Sequence, residues 1–337
     1  MNSPVAPLTI DEPTRRDTHI LFIAKNALWD GTGKPEDGNH ATYHREMRQV
    51  LEGLGLKLTI ADKFDILFDK PDFDFVFPLL NRAGFFNSEM LCPLLCERAG
   101  IPYLGASPIL RGLSDDKHLA KRACVDAGVP TAPWQIYRRG APVTEAGFPQ
   151  GERYVVKPNA SSASWGVMDA TDWTSVRQAI EGVHELGHDA IVEPFIKGSD
   201  VEVPVVTIHD DPVVMPMLIF RQADPEHLRK YEEKRDLVDR SQKYSLDDYN
   251  DPDNPIAQKI DGYTRKLFGE YRPFDYGRFE FRVNETTGEV TFLEVNLNCN
   301  LWSQKVFGRS AKMLGWTQEQ LIETILAESL RRHGLMG

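Results

Sequence analysis

The sequence predicts an α/β protein of two or three domains. Over residues 19–99, strand-like and helix-like segments alternate in a βαβ rhythm, which favours a parallel sheet covered by helices. Further on, residues 275–283 and 291–298 alternate with a period of two on either side of Asn284-Glu-Thr-Thr-Gly288, a β-hairpin signal. A length of 337 residues exceeds one ordinary domain, and a hydrophobic content of 41% is ample for separate cores.

Residues 1–17, rich in proline and acids, read as a loose tail. Residues 19–24 form a strand, 41–54 an amphipathic helix, 58–61 and 73–80 strands, and 89–99 a second helix. The loop 29–39, with three glycines, follows the first strand; it either overlooks the cleft at the strand ends or is a plain surface connection. Ser114-Asp-Asp-Lys117 opens the next helix with polar capping residues, and Gly128-Val-Pro130 closes it. Residues 153–158 are a strand, 159–164 a loop of small residues, 165–170 a returning strand, 172–186 a helix and 190–196 a strand. Lys197-Gly-Ser-Asp200 leads into a hairpin of 201–208 and 213–220 across His209-Asp-Asp-Pro212. The expected divisions are a tail over 1–17 and domains over 18–112, 113–198 and 199–337, with no internal repeat.

A formal charge of −11 argues against broad contact with nucleic acid or an anionic membrane, so an anionic ligand must find locally clustered bases. No apolar run reaches membrane-spanning length, and Met1-Asn-Ser-Pro-Val-Ala-Pro7 lacks the regions of a secretion signal; a cytoplasmic protein is expected. Cys92, Cys96, Cys124 and Cys299 show no Cys-x-x-Cys spacing and read as free thiols. Cys92 and Cys96 share a helix face, a spacing open to metal binding, and are read first as packing groups of a buried helix. Cys299 lies just beyond the hairpin, where a nucleophile is conceivable, yet no histidine stands nearby to activate it.

The hairpin carries the most chemistry. A three-residue loop with Gly288 at positive φ sets Glu280 opposite Glu294 and Arg278 opposite Asn296. Facing carboxylates repel, so a hard divalent cation or an arginine such as Arg278 belongs between them. Phe279, Phe281, Leu293 and Val295 fill the other face. Elsewhere Lys117, Lys157 and Lys234 each stand next to a loop or helix start, and Asn159-Ala-Ser-Ser-Ala-Ser164 offers hydroxyls, among them Ser162 and Ser164, with backbone N–H groups. Small residues let main-chain donors approach phosphate oxygens while lysines supply charge, the makings of a polyphosphate site. Neither a P-loop nor a dinucleotide fingerprint is present.

Seven motifs, in order, resemble the ATP-grasp superfamily and within it the D-alanine:D-alanine ligase family: Ile101-Pro-Tyr-Leu-Gly-Ala-Ser107; Ser114-Asp-Asp-Lys117 with Gly128-Val-Pro-Thr-Ala-Pro-Trp134; Val155-Val-Lys-Pro158; Ile191-Val-Glu-Pro194 with Gly198-Ser-Asp200; Tyr231-Glu-Glu-Lys234; Gly277-Arg-Phe-Glu280; and Glu294-Val-Asn296. The resemblance implies a three-domain ATP-grasp fold, with an N-terminal parallel α/β domain and central and C-terminal α+β domains clamping ATP. It implies an ADP-forming carboxylate-amine ligase that works through an acyl phosphate on small-molecule substrates, and a homodimer through the first domain. It assigns Lys117 and Lys157 to the α- and β-phosphates and Lys234, on a mobile loop, to the γ-phosphate. Glu193 meets the adenine amino group, the Pro194 carbonyl and Ile196 N–H read the base edge, and Asp200 takes the ribose hydroxyls. Glu280, Glu294 and Asn296 hold magnesium, two ions being implied and manganese a substitute, while Arg278 steadies charge on the transferring phosphoryl group. Glutamate stands at 280 where the family usually has aspartate.

Substrate-side motifs depart from the family. The glycine-rich Ser/Glu motif after the first strand is replaced by Lys25-Asn-Ala-Leu-Trp-Asp-Gly31, and the His-Gly-x-x-Gly-Glu-Asp-Gly loop by Asn81-Arg-Ala-Gly-Phe-Phe-Asn-Ser88. Asn300 takes the place of the glycine whose N–H helps the oxyanion hole. Loss of acidic groups and gain of Arg82, Phe85, Phe86, Trp302 and Lys305 point to a larger or more anionic substrate than alanine; Arg82 either holds a carboxylate or is a surface arginine, Trp302 either walls the acceptor pocket or belongs to the core, and Ser303 stands beside them. A ligase joining two amino acids, or an amino acid and another amine, is the expected activity. Asp30, Glu36 and Asp37 are the acids available for a substrate ammonium. Two other readings are an enzyme whose acceptor is a hydroxyl, thiol or internal nucleophile, and a module that binds ATP without turnover.

Overall fold

The computed structural model describes residues 5–33, 36–68, 71–82, 89–224, 226–228, 231–234 and 244–337. Phe85, Phe86 and most of the charged run 227–243 lie outside them.

Helix α1 (Glu12–Asp17) is capped by Asp11, whose Oδ1 accepts the Thr14 N–H at 2.8 Å. It leads into β1 (His19–Ile23), α2 (Asn39–Gly53), β2 (Lys57–Ala61), β3 (Phe75–Pro78) and α3 (Leu91–Ala99). These strands form a parallel sheet in the order β2-β1-β3. β1 lies in the middle, which is why Ile20, Leu21, Phe22 and Ile23 run apolar without alternation. Along α2, Tyr43, Met47, Val50 and Leu51 recur at helical spacing and all are buried. The chain before α1 departs from the loose tail expected of it. Ile10 is 3% exposed, its N–H donates to Glu323 Oε1 at 2.8 Å, Leu8 N–H donates to Thr324 Oγ1 at 3.0 Å, and Arg15 pairs with Glu323. Composition predicts disorder from local polarity; here partners at the far end of the chain order the segment.

Next come α4 (Pro108–Asp115), α5 (Lys117–Asp126), β4 (Gln135–Tyr137), β5 (Tyr154–Pro158), β6 (Met168–Ala170), α6 (Trp173–Glu185) and β7 (Ala190–Pro194). The strands make an antiparallel sheet in the order β4-β7-β5-β6, with Val156, Val176, Ile180, Val183 and Val192 in the core shared with α6.

The largest sheet contains β8 (Ser199–Ile208), β9 (Asp211–Val214), β10 (Leu218–Gln222), β11 (Tyr244–Asp248), β12 (Tyr276–Asn284) and β13 (Glu289–Asn296). Its order is β11-β10-β8-β12-β13, with β9 also paired to β8. Helices α7 (Tyr231–Lys234), α8 (Pro255–Tyr271), α9 (Val306–Met313) and α10 (Gln318–Arg332) complete the chain. The expected hairpin after residue 200 turns at His209 and Asp210, both at positive φ, 54° and 67°. Its second strand is broken in two. Pro216 lacks an N–H for the ladder and its carbonyl accepts the Ser310 hydroxyl at 2.7 Å, so β9 and β10 pair with different ends of β8.

The β12–β13 register places Glu280 opposite Glu294 and Arg278 opposite Asn296. The route to it differs from the expected one. Asn284 pairs with Glu289 across a four-residue loop, and a bulge between Glu280 and Phe281 then restores the register. The bulge puts Phe292 in the core against Phe281, while Leu293, expected there, is only half-buried. Among the described residues, no helix is long and apolar enough to cross a membrane.

Candidate active site

Three carboxylates stand in one row across the largest sheet. Glu280 on β12 faces Glu202 of β8 on one side and Glu294 of β13 on the other. Arg278 Nε donates to Glu280 Oε1 at 3.0 Å and Nη1 lies 3.3 Å from Glu202 Oε2. Asn296 Nδ2 donates to Glu280 Oε1 at 2.9 Å and to Glu294 Oε1 at 3.3 Å. An arginine therefore separates the first pair and an amide bridges the second. Glu202 was absent from the sequence-based assignment, although a count of two from Asp200 puts both on one strand face.

The row is electrostatically split. Burial raises the Glu280 carboxyl to about 7, helped by Glu294 and Glu202 and opposed by Arg278. Burial also penalises Glu294, but Lys117, Lys234 and Lys157 outweigh it and hold that carboxyl at about 2. Lys117 Nζ lies 3.6 Å from Glu294 Oε2 and donates to the Ser161 carbonyl at 2.8 Å, tying the start of α5 to the small-residue loop. In that loop Ala163 and Ser164 adopt positive φ, 54° and 61°, a costly conformation for residues with a Cβ.

Hard oxygen donors of this kind fit magnesium. Among the described residues, no group of three His, Cys, Asp or Glu side chains forms a ready metal cluster. The donors on offer are two glutamates and an asparagine amide, and magnesium ordinarily fills its other positions with phosphate oxygens and water.

The row floors a cavity of about 790 Å³, into which Lys234, Ser162, Asn300 and Lys305 also face. Lys117 and Ser162 line a small adjoining recess that shares Glu294 and Asn296. α2 contributes His40, Tyr43 and His44 to the wall, none of which the sequence reading had named. Tyr43 is fixed there because its hydroxyl accepts the Leu301 N–H at 3.1 Å. Of the loop 29–39, Asp37 and Asn39 reach the cavity; Asp37 is already 2.8 Å from Lys25 Nζ. Asp30 is turned away and accepts from the Thr32 N–H and hydroxyl, and Glu36 is exposed.

Several expected site residues are engaged elsewhere. Arg82 borders the cavity, but Glu89 and Asp115 both pair with it, so it is not an open carboxylate receptor. Trp302 is half-buried against the hydrophobic core that β1, α2 and α10 share, and it does not line the cavity. Ser303 is turned to Glu46, which accepts its N–H at 2.9 Å and its hydroxyl at 2.7 Å. Glu193 is buried, with Lys157 Nζ 3.1 Å and Lys121 Nζ 3.6 Å from its Oε1, and neither it nor Pro194 nor Ile196 lines the cavity. Asp200 accepts from Arg282 Nη1 at 2.7 Å, while Arg282 Nε donates to the Ile196 carbonyl at 2.9 Å. Gly198 permits this arrangement, since a Cβ there would meet the Val283 carbonyl oxygen at 2.1 Å. Cys299 borders the cavity, but burial pushes its thiol up to about 12, leaving it protonated and poorly nucleophilic at neutral pH.

Comparison with known proteins identifies the family. The family model described as D-ala D-ala ligase C-terminus matches residues 124–327. Uncharacterized protein y4sG of Sinorhizobium fredii is 29% identical over 251 residues, 73% of this chain and 72% of that protein. The D-alanine–D-alanine ligase of Tropheryma whipplei is 27% identical over 275 residues, 77% of this chain and 72% of the ligase. The crystal structure of D-alanine–D-alanine ligase from Bacillus anthracis complexed with ATP superimposes with a TM-score of 0.72 at 19% identity, covering 95% of this chain and 99% of that one, so the fold is shared. With the family model spanning more than half of its length, the chain belongs to the D-alanine–D-alanine ligase family of ATP-grasp proteins.

Proposed function

We propose that the protein activates a carboxylic acid with ATP and joins it to an amine. A carboxylate oxygen attacks the γ-phosphorus and ADP departs; the amine nitrogen then attacks the carbonyl carbon of the acyl phosphate and expels phosphate, which carries that oxygen away. Family membership supports an ADP-forming ligase of carbon–nitrogen bonds. The observation that carries the reading is the pairing of Glu280 with Glu294 and of Arg278 with Asn296 on the floor of the cavity, with Lys117 3.6 Å from Glu294 in the adjoining recess.

In this reading ATP is gripped between the units of residues 113–198 and 199–337. Lys117 and Lys157 neutralise the α- and β-phosphates, Lys234 meets the γ-phosphate, and the loop bearing Ser162 and Ser164 offers main-chain donors. Glu193, Pro194 and Ile196 read the base, and Asp200 the ribose. Glu280, Glu294 and Asn296 hold magnesium. When bound, magnesium neutralises phosphate charge and orders the γ-phosphoryl group for transfer. Arg278 is restrained by Glu202 and Glu280, which keeps its guanidinium aimed at the charge that develops during transfer.

The substrates are amino acids, or an amino acid and an amine, larger or more acidic than alanine. Lys305 and His40 on the walls of the cavity support the more acidic choice. The test is incubation with ATP, magnesium and pools of amino acids and amines, with ADP, phosphate and new product masses as readouts. Substrate-dependent ADP formation with an amide product is expected. Tight ATP binding without turnover across broad pools would overturn the reading.

A further inference from the structure

Lys121 has no role in the assignments above, yet it is 1% exposed. It stands one helical turn beyond Lys117 on α5. Its Nζ donates to Thr131 Oγ1 at 2.7 Å and to the Ala132 carbonyl at 3.1 Å, lies 5.3 Å from the centre of the Trp134 ring, and is 3.6 Å from Glu193 Oε1. A cation taken this far from water costs stability unless its partners are fixed, and these are. Thr131 is held in turn, because its hydroxyl donates to the Phe292 carbonyl at 2.9 Å and the Phe292 N–H donates to the Pro130 carbonyl at 2.8 Å. The lysine is thus anchored to β13, two residues from Glu294.

Glu193 is its counterpart. The carboxylate is 4% exposed, and its Oε1 faces both Lys121 and Lys157 without forming a well-aligned hydrogen bond. Burial opposes its ionisation, but the two lysines outweigh burial and keep it below the ordinary carboxylate range. Lys157 is the less constrained of the two, being 14% exposed.

We propose that Lys121 is a positioning residue that holds the Glu193 carboxylate as a fixed acceptor and so makes the nucleotide pocket select a base bearing an amino group over one bearing an oxo group. This rests on the reading that Glu193 meets the base. An ionised carboxylate accepts a hydrogen bond from an amino group and repels an oxo group. Without Lys121 the carboxylate has one cation on a looser tether; it can swing away or take a proton, and a protonated carboxyl can donate to the oxo group. Selectivity then falls.

The experiment is calorimetric binding of magnesium-ADP and magnesium-IDP to the full-length protein and to Lys121→Met, Lys121→Arg and Glu193→Gln. The unaltered protein should prefer ADP by about tenfold or more, and Lys121→Met should remove most of that preference. Lys121→Arg, which keeps the charge, should restore part of it. Equal weakening of both nucleotides by Lys121→Met, or an unchanged ratio, would overturn the proposal. A ratio that collapses in Glu193→Gln but not in Lys121→Met sinks the role of Lys121 alone; a ratio unchanged in Glu193→Gln sinks the assignment of Glu193 to the base as well. Should Lys121→Met fail to fold, Thr131→Val removes one anchor at nearly constant shape and must lower the ratio by about threefold; no change again overturns the proposal.

Discussion

Glu294→Gln removes one charge from the centre of the proposed site while nearly keeping its shape. Lys117 Nζ lies 3.6 Å from Glu294 Oε2, a gross attraction of about 5 kcal/mol at an effective dielectric constant of about 20. Depression of the carboxyl from 4.5 to about 2, after burial has been offset, corresponds to about 3 kcal/mol net. Because the folded-state pKa is lowered, that stabilisation is complete above pH 4.5 and is lost as pH falls towards 2. The nucleotide-free variant should therefore be less stable than the parent by up to about 3 kcal/mol at pH 7, in urea denaturation, and the gap should narrow by pH 3. Turnover should fall by about a hundredfold or more, since the substituted amide is a poorer magnesium ligand at the point where phosphoryl charge develops. Equal stability at pH 7 would refute the electrostatic account. Turnover within about threefold of the parent would refute the placement of the site.

The apparent affinity for magnesium should rise with pH and level off above pH 7, because Glu280, raised to about 7, must lose its proton to become a full ligand; calorimetry in buffers of different ionisation enthalpy should detect proton release near neutrality. A pH-independent affinity between pH 6 and 8 would contradict this. Cys299→Ala should retain turnover within about threefold, its thiol being raised to about 12 by burial; loss of turnover accompanied by a covalent adduct on Cys299 in the parent would bring back an internal nucleophile. Deleting residues 1–17 should cost roughly 3 kcal/mol or more, because Ile10 loses its burial and Glu323 is left without Arg15; an unchanged denaturation midpoint would show the segment to be dispensable.

Local pattern carried most of the architecture. Period-two alternation placed Glu280 opposite Glu294 although the loop and bulge that achieve it were invisible, because a one-residue gain in the loop and a one-residue bulge cancel at the carboxylates. The same bulge exchanged Leu293 for Phe292 in the core, where no compensation applies. What escaped the sequence depends on partners remote along the chain. For Arg82 and Trp302 the sequence leaves the ligand reading and its alternative balanced, because one of the two acids that neutralise Arg82, Asp115, and most of the core that covers Trp302 are remote in sequence. His40, Tyr43 and His44 read only as a helix face, since nothing local says that α2 borders a cavity. Glu202 is legible from parity, since Asp200 and Glu202 share a face of β8, whereas the family motif Gly198-Ser-Asp200 stops short of it.

The central claim is that a carboxylate is phosphorylated before the amine arrives, and isotope transfer reads that step directly. With acid substrates labelled with oxygen-18 in the carboxylate, supplied with ATP, magnesium and amines, one labelled oxygen should appear in each phosphate released alongside ADP. Phosphate free of label, or release of AMP and pyrophosphate, would contradict the account.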